Sequence, residues 1–279
     1  MPDIVIHVVA SALYAALALH FWNTHWRAQP AAAAPASALA ARGSRAWERA
    51  AILLPLALHG WLLYDEILAA QQMRFGFAQA LSMMLWLAVA ICWLEGLAYR
   101  IEALLPMVLV LAALCAPLPG FFPGRLTPHA YSLEFKLHLF AGMAAYSLFT
   151  VATFHALLIS MVERQLHLRP TLADRGMPPL LSLEALVFRL TGAAFVVLTL
   201  TFAVGIAYSE SIFGRALRFD HKTVFVVLSW LIFGLLLTGR WLYGWRGRTA
   251  LRWTLAGFLM LMLAYPGSRF VLEVILGRT

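Results

Sequence analysis

Residues 135–162 read FKLHLFAGMAAYSLFTVATFHALLISMV, and Lys136 is their only lysine, arginine or carboxylate. As an α-helix this stretch is about 42 Å long at 1.5 Å per residue. The hydrocarbon core of a bilayer is about 30 Å thick, so an apolar helix of this length belongs in lipid, where it tilts or projects beyond the core. Apolar blocks flank it on both sides: Ile4–Trp22, Trp47–Leu68, Phe77–Leu94, Glu102–Leu118, Leu183–Tyr208, Lys222–Tyr243 and Leu251–Leu276. The chain of 279 residues is 62% hydrophobic and 12% charged, more apolar than a soluble domain of this length requires. The expected fold class is all-α: a polytopic transmembrane bundle of eight spans forming a single integral membrane domain.

The net charge of +8 does not imply nucleic acid, because the basic residues lie between the apolar blocks and set orientation in the bilayer. One side carries thirteen of them, including Arg42, Arg45, Arg49, Arg164, Arg246, Arg248 and Arg252; the other carries eight. The heavier side is expected in the cytoplasm and both termini outside, in the periplasm if the bilayer is a bacterial inner membrane. Residues 28–46 are rich in Ala, Pro and Ser and are expected to form a flexible cytoplasmic linker. No cleavable signal peptide is expected, since Pro2 and Asp3 precede the first span without a basic region. Cys92 and Cys115 stand alone in different spans, which excludes a thiol oxidoreductase motif and c-type heme attachment to this chain. Metalloprotease, nucleophile-elbow and Walker motifs are missing from the sequence, and no enzymatic turnover is expected.

Polar residues inside spans require explanation, because lipid penalises them. His59 lies midway along the second span, with Ile52, Pro55, Leu63 and Glu66 on nearly the same helical face. Its imidazole can be an axial ligand to a metal porphyrin, or it can bond a neighbouring helix. His138 opens the fifth span, with Gly142 and Ala145 on its face. Those small residues leave a slot for a flat ring, or they let another helix come close. Tyr146, eight residues on, points about 80° away, and His155 about 100° away. Arg269, near the outer end of the last span, can pair with Glu273 one turn on, reach the interface, or bind a heme propionate. The loop Ser209–His221 mixes Arg215 and Arg218 with Phe213 and Phe219, as a planar dianion or an ordinary membrane interface would require. His7, His20, His25, His129 and His167 are expected to be solvated or interfacial.

The stretch from Lys136-Leu137-His138 to Ala145-Tyr146-Ser147 resembles the histidine-to-tyrosine signature of the cytochrome c assembly family of heme-handling membrane proteins, the CcsA/ResC and HemX-like group. Asp220-His221-Lys222-Thr223, Ser229-Trp230 and Gly244-Trp245-Arg246-Gly247 are similar to a second conserved region of that family. Met177-Pro178-Pro179-Leu180, Gly244–Arg248, and Ala264-Tyr265 through Gly267-Ser268-Arg269 look closer still to its YpjD branch of small inner-membrane proteins. The resemblance covers roughly Leu58 to the C-terminus. It implies an eight-span bundle that handles heme near the outer face beside other cytochrome c maturation membrane proteins. His138 would be the first outer iron ligand, His59 a second-span histidine of the YpjD branch, and Tyr146, Arg215, Arg218 and Arg269 the groups around the cofactor. The chain departs from the heme-delivery members in lacking their tryptophan-rich outer motif, and Pro266-Gly267-Ser268-Arg269 stands where they carry a second outer histidine. A cofactor-free membrane adaptor is the alternative.

Overall fold

The computed structural model describes residues 2–27, 38–69, 73–99, 102–127, 132–168, 180–207, 209–210 and 220–277. The elements are α1 (Pro2–Phe21), α2 (Ala38–Leu63), β1 (Arg74–Phe75), α3 (Phe77–Ala98), α4 (Leu105–Cys115), α5 (Leu118–Phe121), β2 (Arg125–Leu126), α6 (Leu133–Leu168), α7 (Leu180–Ala207), α8 (His221–Tyr243) and α9 (Gly247–Met262). Helices α1 and α2 run on in wider π-type turns to Arg27 and Ala69, and α9 continues in mixed winding to Ile275. Among the described residues seven helices are long and apolar enough to cross a membrane. The expected fourth span, Glu102–Leu118, is the short one: an apolar helical stretch over Leu105–Phe121. Pro117 divides it into α4 and α5, because proline has no amide hydrogen with which to continue the ladder.

Helix α6 is the centre of an all-α bundle. Its apolar window is 72% buried, α3 follows at 61%, and the other spans reach at most 33%. It packs against α3, α7 and α9; α2 and α4 pack on α3, α1 packs on α2 and α4, and α8 closes against α7 and α9. The sequence of α6 suits this position. Ala145, Ser147, Thr150, Ala152 and Thr153 are all buried and small enough for close helix approach. Thr150 and Thr153 donate to the carbonyls of Tyr146 and Phe149 one turn back, each at 2.7 Å, which satisfies their hydroxyls inside the helix. Phe149 stacks on Phe233 of α8 with ring centroids 3.8 Å apart. Gly257 of α9 receives the same ring; a Cβ there would stand 2.9 Å from it.

Two expectations change. The stretch 28–46 is not linker throughout, since α2 already begins at Ala38. Ala38-Leu39-Ala40-Ala41-Arg42 are strong helix formers, and composition alone did not weigh them so. Residues 28–37 lie outside the described residues. His7 is buried rather than interfacial. Its Nδ1–H donates to the Ala116 carbonyl at 2.7 Å, and Nε2 lies 3.1 Å from Glu66 Oε1. A carbonyl only accepts, so Nδ1 carries a hydrogen.

Candidate functional site

The starts of α3, α6 and α8 and the end of the α9 extension meet at one end of the bundle, where β1 pairs with β2 in the register Arg74↔Leu126. Ser132 Oγ accepts from Phe135 N at 3.2 Å and so begins α6, which puts His138 in its second turn. The half-buried imidazole lies against Gly205 of α7, where a Cβ would stand 3.0 Å from Cε1. Gly205 therefore makes the seat of the ring. The space beside Gly142 is taken by Thr201 of α7, whose Cγ2 lies 3.8 Å from a Cβ placed there, and Ala145 is fully buried. In this arrangement the small-residue face of α6 serves helix packing. Tyr146 is buried in the core on another face of α6.

Arg269 sits beside Tyr265, its guanidinium carbon 5.6 Å from the ring centroid, with Lys222 Nζ of α8 at 5.9 Å from the same ring. Its Nη1 is 3.9 Å from Glu273 Oε1. Glu273 in turn accepts from the Phe77 amide through Oε2 at 3.4 Å, against Gly76, where a Cβ would fall 2.5 Å from that oxygen. A carboxylate at the first turn of α3 complements the unsatisfied amides there. Arg269 thus has an internal anion that also holds α3, and both halves of that pairing are built from the chain itself. Arg215 and Arg218 lie outside the described residues.

His59 occupies a different place. It is fully buried, on a face of α2 where Ile52, Pro55 and Leu63 are also buried, as the helical spacing indicated. Its Nε2 is hydrogen-bonded to Ser82 Oγ of α3 at 2.7 Å, and Tyr14 of α1 meets its ring edge-on at 5.7 Å. The structure does not gather His59 and His138 into one site, because one is wedged between α1 and α3 and the other rests on α7. The fit to heme differs accordingly. His138 is partly exposed and has a glycine seat, whereas His59 is fully buried and bonded to Ser82 through Nε2.

Four histidine–carboxylate pairs on three carboxylates lay beyond the sequence reading: His7 with Glu66, His20 and His25 with Glu48, and His155 with Glu95. The signal was available in the carboxylates. Glu95 and Glu66 fall within apolar helices, where an unpaired charge is costly, so each needed a partner. Among the described residues no group of three or more His, Cys, Asp and Glu side chains is placed to hold a metal ion.

Some of the familiar sequence blocks are helix-ending devices. Asp220 caps α8, accepting from the amides of Lys222 and Thr223, both at 3.1 Å. Burial alone would raise its pKa, but the Thr223 bonds and the nearby Lys222 and His221 hold the carboxyl below its ordinary range. Gly244, at φ 65°, ends α8 in the left-handed conformation. Trp245 then folds back onto Gly239 and stacks with Trp253, and the Gly247 amide donates to Glu184 of α7 at 3.1 Å.

The fold and this site define a multi-pass membrane protein with a histidine, a lysine and an arginine presented at one end of its bundle. The family model for the cytochrome c assembly protein matches residues 47–276, and the chain belongs to that family. Helix α1 precedes the matched region. The inner membrane protein YpjD of Escherichia coli K12 is 32% identical over 173 residues, covering 62% of this chain and 65% of that relative. A protein of Azospirillum brasilense, described as an uncharacterized 28.8 kDa protein in the nifR3-like 5' region, is 35% identical over 212 residues, covering 71% and 76%. The cytochrome c biogenesis protein CcsA of Picosynechococcus is 28% identical over 112 residues, covering 40% and 33%. No solved structure matches the chain.

Proposed function

We propose that this protein binds heme at the His138 end of the bundle and handles it during cytochrome c assembly, without turnover chemistry of its own. The observation that carries the reading is the His138 imidazole, half-buried and seated over Gly205 in a chain of the cytochrome c assembly family. Heme, when bound, supplies an iron that a neutral imidazole nitrogen can ligate. Arg269 and Lys222 would meet its carboxylates, with Arg215 and Arg218 as further candidates from the adjoining loop. His59 would serve as a ligand only after giving up Ser82 and its contact with Tyr14. The protein would reside in a bacterial inner membrane with both termini outside, as the basic bias implies and as the naming of the YpjD relatives supports. Its partners would be the lipid bilayer, heme and other cytochrome c maturation membrane proteins.

The second reading, a cofactor-free adaptor, draws support from Arg269–Glu273 and His59–Ser82, which satisfy these polar groups internally. Purification from heme-replete cells, followed by absorbance and heme titration, separates the two. A Soret band that titrates to a fixed stoichiometry supports heme handling. A colourless protein that takes up no added heme supports the adaptor.

A further inference from the structure

The opposite end of the bundle holds a cleft that the heme reading does not use. It is a shallow cleft where α1 and α3 end and α4 begins, walled by Phe21, Glu48, Arg49, Trp93, Tyr99 and Glu102 among others. Its charges are arranged unusually. The Glu48 side chain is only 6% exposed, and its Oε1 faces His20 Nε2 at 3.0 Å and His25 Nε2 at 3.7 Å. Those histidines lie five residues apart, and the wider winding after Phe21 brings both to one carboxylate. Arg49 and Glu102 share the cleft, yet among the described residues neither side chain forms an ion pair or hydrogen bond, with the other or with any third residue.

A cleft with a cation and an anion that pair with no other described residue complements a ligand that carries both signs. The depth identifies the ligand further. Trp47 and Tyr99, 49% and 40% exposed, ring this end of the bundle as aromatic residues do at the headgroup level of a bilayer. Phe21, Trp93 and Tyr99 also line the cleft, and aromatic rings attract an ammonium group. A guanidinium is suited to phosphate oxygens. We propose that the cleft binds a phosphoethanolamine group at its mouth, with Arg49 on the phosphate and Glu102 on the ammonium. The group can arrive as the headgroup of an aminophospholipid or as a soluble zwitterion. This assignment stands independently of heme.

The test is lipid retention on the full-length protein in detergent, measured by native mass spectrometry with phosphatidylethanolamine, phosphatidylglycerol and phosphatidylcholine of identical acyl chains. Phosphatidylethanolamine should be held about tenfold more tightly than either of the others, the scale of one charge-assisted hydrogen bond. Glu102→Gln should abolish the preference over phosphatidylglycerol, Glu102→Lys should reverse it, and Arg49→Gln should weaken both lipids. Tryptophan-fluorescence melting confirms that each variant is folded. Soluble phosphoethanolamine that displaces the lipid at equal concentration assigns the site to the free zwitterion, and failure to displace assigns it to the lipid. Equal retention of the three lipids by the unmodified protein, with no uptake of soluble phosphoethanolamine, overturns the proposal, as does an undiminished preference in folded Glu102→Gln.

Discussion

Ser11 Oγ donates to the carbonyl of Ala113 at 2.6 Å, and that carbonyl is the one left without a helical donor by Pro117, four residues on. Two distant choices in the sequence therefore depend on each other. Ser11→Ala should lower stability by about 0.5–2 kcal/mol, the range for losing an interhelical bond in a membrane. Pro117→Ala restores an amide to that carbonyl, so Ser11→Ala should cost less in the Pro117→Ala background. Unfolding in detergent mixtures measures all four proteins of the cycle. Identical costs in the two backgrounds would show that the bond is not compensating for the proline.

Asp220 should matter for the start of α8 in a pH-dependent way. Its carboxyl is held below its ordinary range in the folded protein. A depressed carboxyl contributes stability above its unfolded pKa, about 3.9, and loses that contribution as pH falls through the folded value. Asp220→Ala should cost about 0.5–2 kcal/mol at neutral pH, the usual range for a lost helix cap, and Asp220→Asn less, since an amide oxygen still accepts. The difference between the unmodified protein and Asp220→Asn should shrink in acid. A difference that stays constant from neutral pH to below pH 4 would mean that the charge is immaterial.

The spans were legible because lipid imposes one rule on every residue of a crossing helix, so Phe77–Ala98 and His221–Tyr243 emerge within a few positions of their expected bounds. The buried face of α2 was legible for the same reason: Ile52, Pro55 and His59 repeat at helical spacing. Partner identity was not. On spacing alone the face of His138 and Gly142 could serve a ligand or, slightly better, a helix, and the residues that pack there, Thr201 and Gly205, lie some sixty positions away on α7. His7 was misread because its partners, Ala116 and Glu66, belong to other helices, and a residue's place near a span end does not reveal them. Asp220 and the Gly244–Gly247 block were recognised by resemblance, whereas their local work is capping and turning, which the types Asp-x-x-Thr and Gly state on their own.

The two histidines should separate in their responses. His138→Ala should remove or blue-shift the heme signal with little change in stability, because the ring is half-buried at a helix end. His59→Ala should weaken the fold by about 2 kcal/mol or more, because it opens a cavity and strips Ser82 of its partner. His59→Gln can keep the bond to Ser82. It should recover most of the stability, and any heme deficit that persists in the stable Gln variant would identify His59 as a ligand. Wild-type heme content and spectra in both His138→Ala and His59→Gln would remove these histidines from the site.

The final prediction turns on Glu273, which serves Arg269 and α3 together. The carboxylate lies 3.9 Å from Arg269 Nη1 through one oxygen and accepts the Phe77 amide through the other. If Arg269 only pairs internally, Glu273→Gln and Arg269→Gln should both lower stability, and heme affinity per folded molecule should stay constant. If Arg269 also meets a heme propionate, Arg269→Gln should cut heme affinity by roughly 10- to 150-fold, the equivalent of about 1.5–3 kcal/mol for a bond to a charged group. The Soret position should be unchanged, because the iron ligand remains. Arg269→Lys should restore only part, since an ammonium cannot make a forked contact. Glu273→Gln then acts in the opposite direction: freeing the guanidinium from its internal anion should strengthen heme binding. Heme titration of these variants, normalised to folded protein by tryptophan fluorescence, reads both effects, and a flat series would leave Arg269 as the anchor of Glu273 on α3.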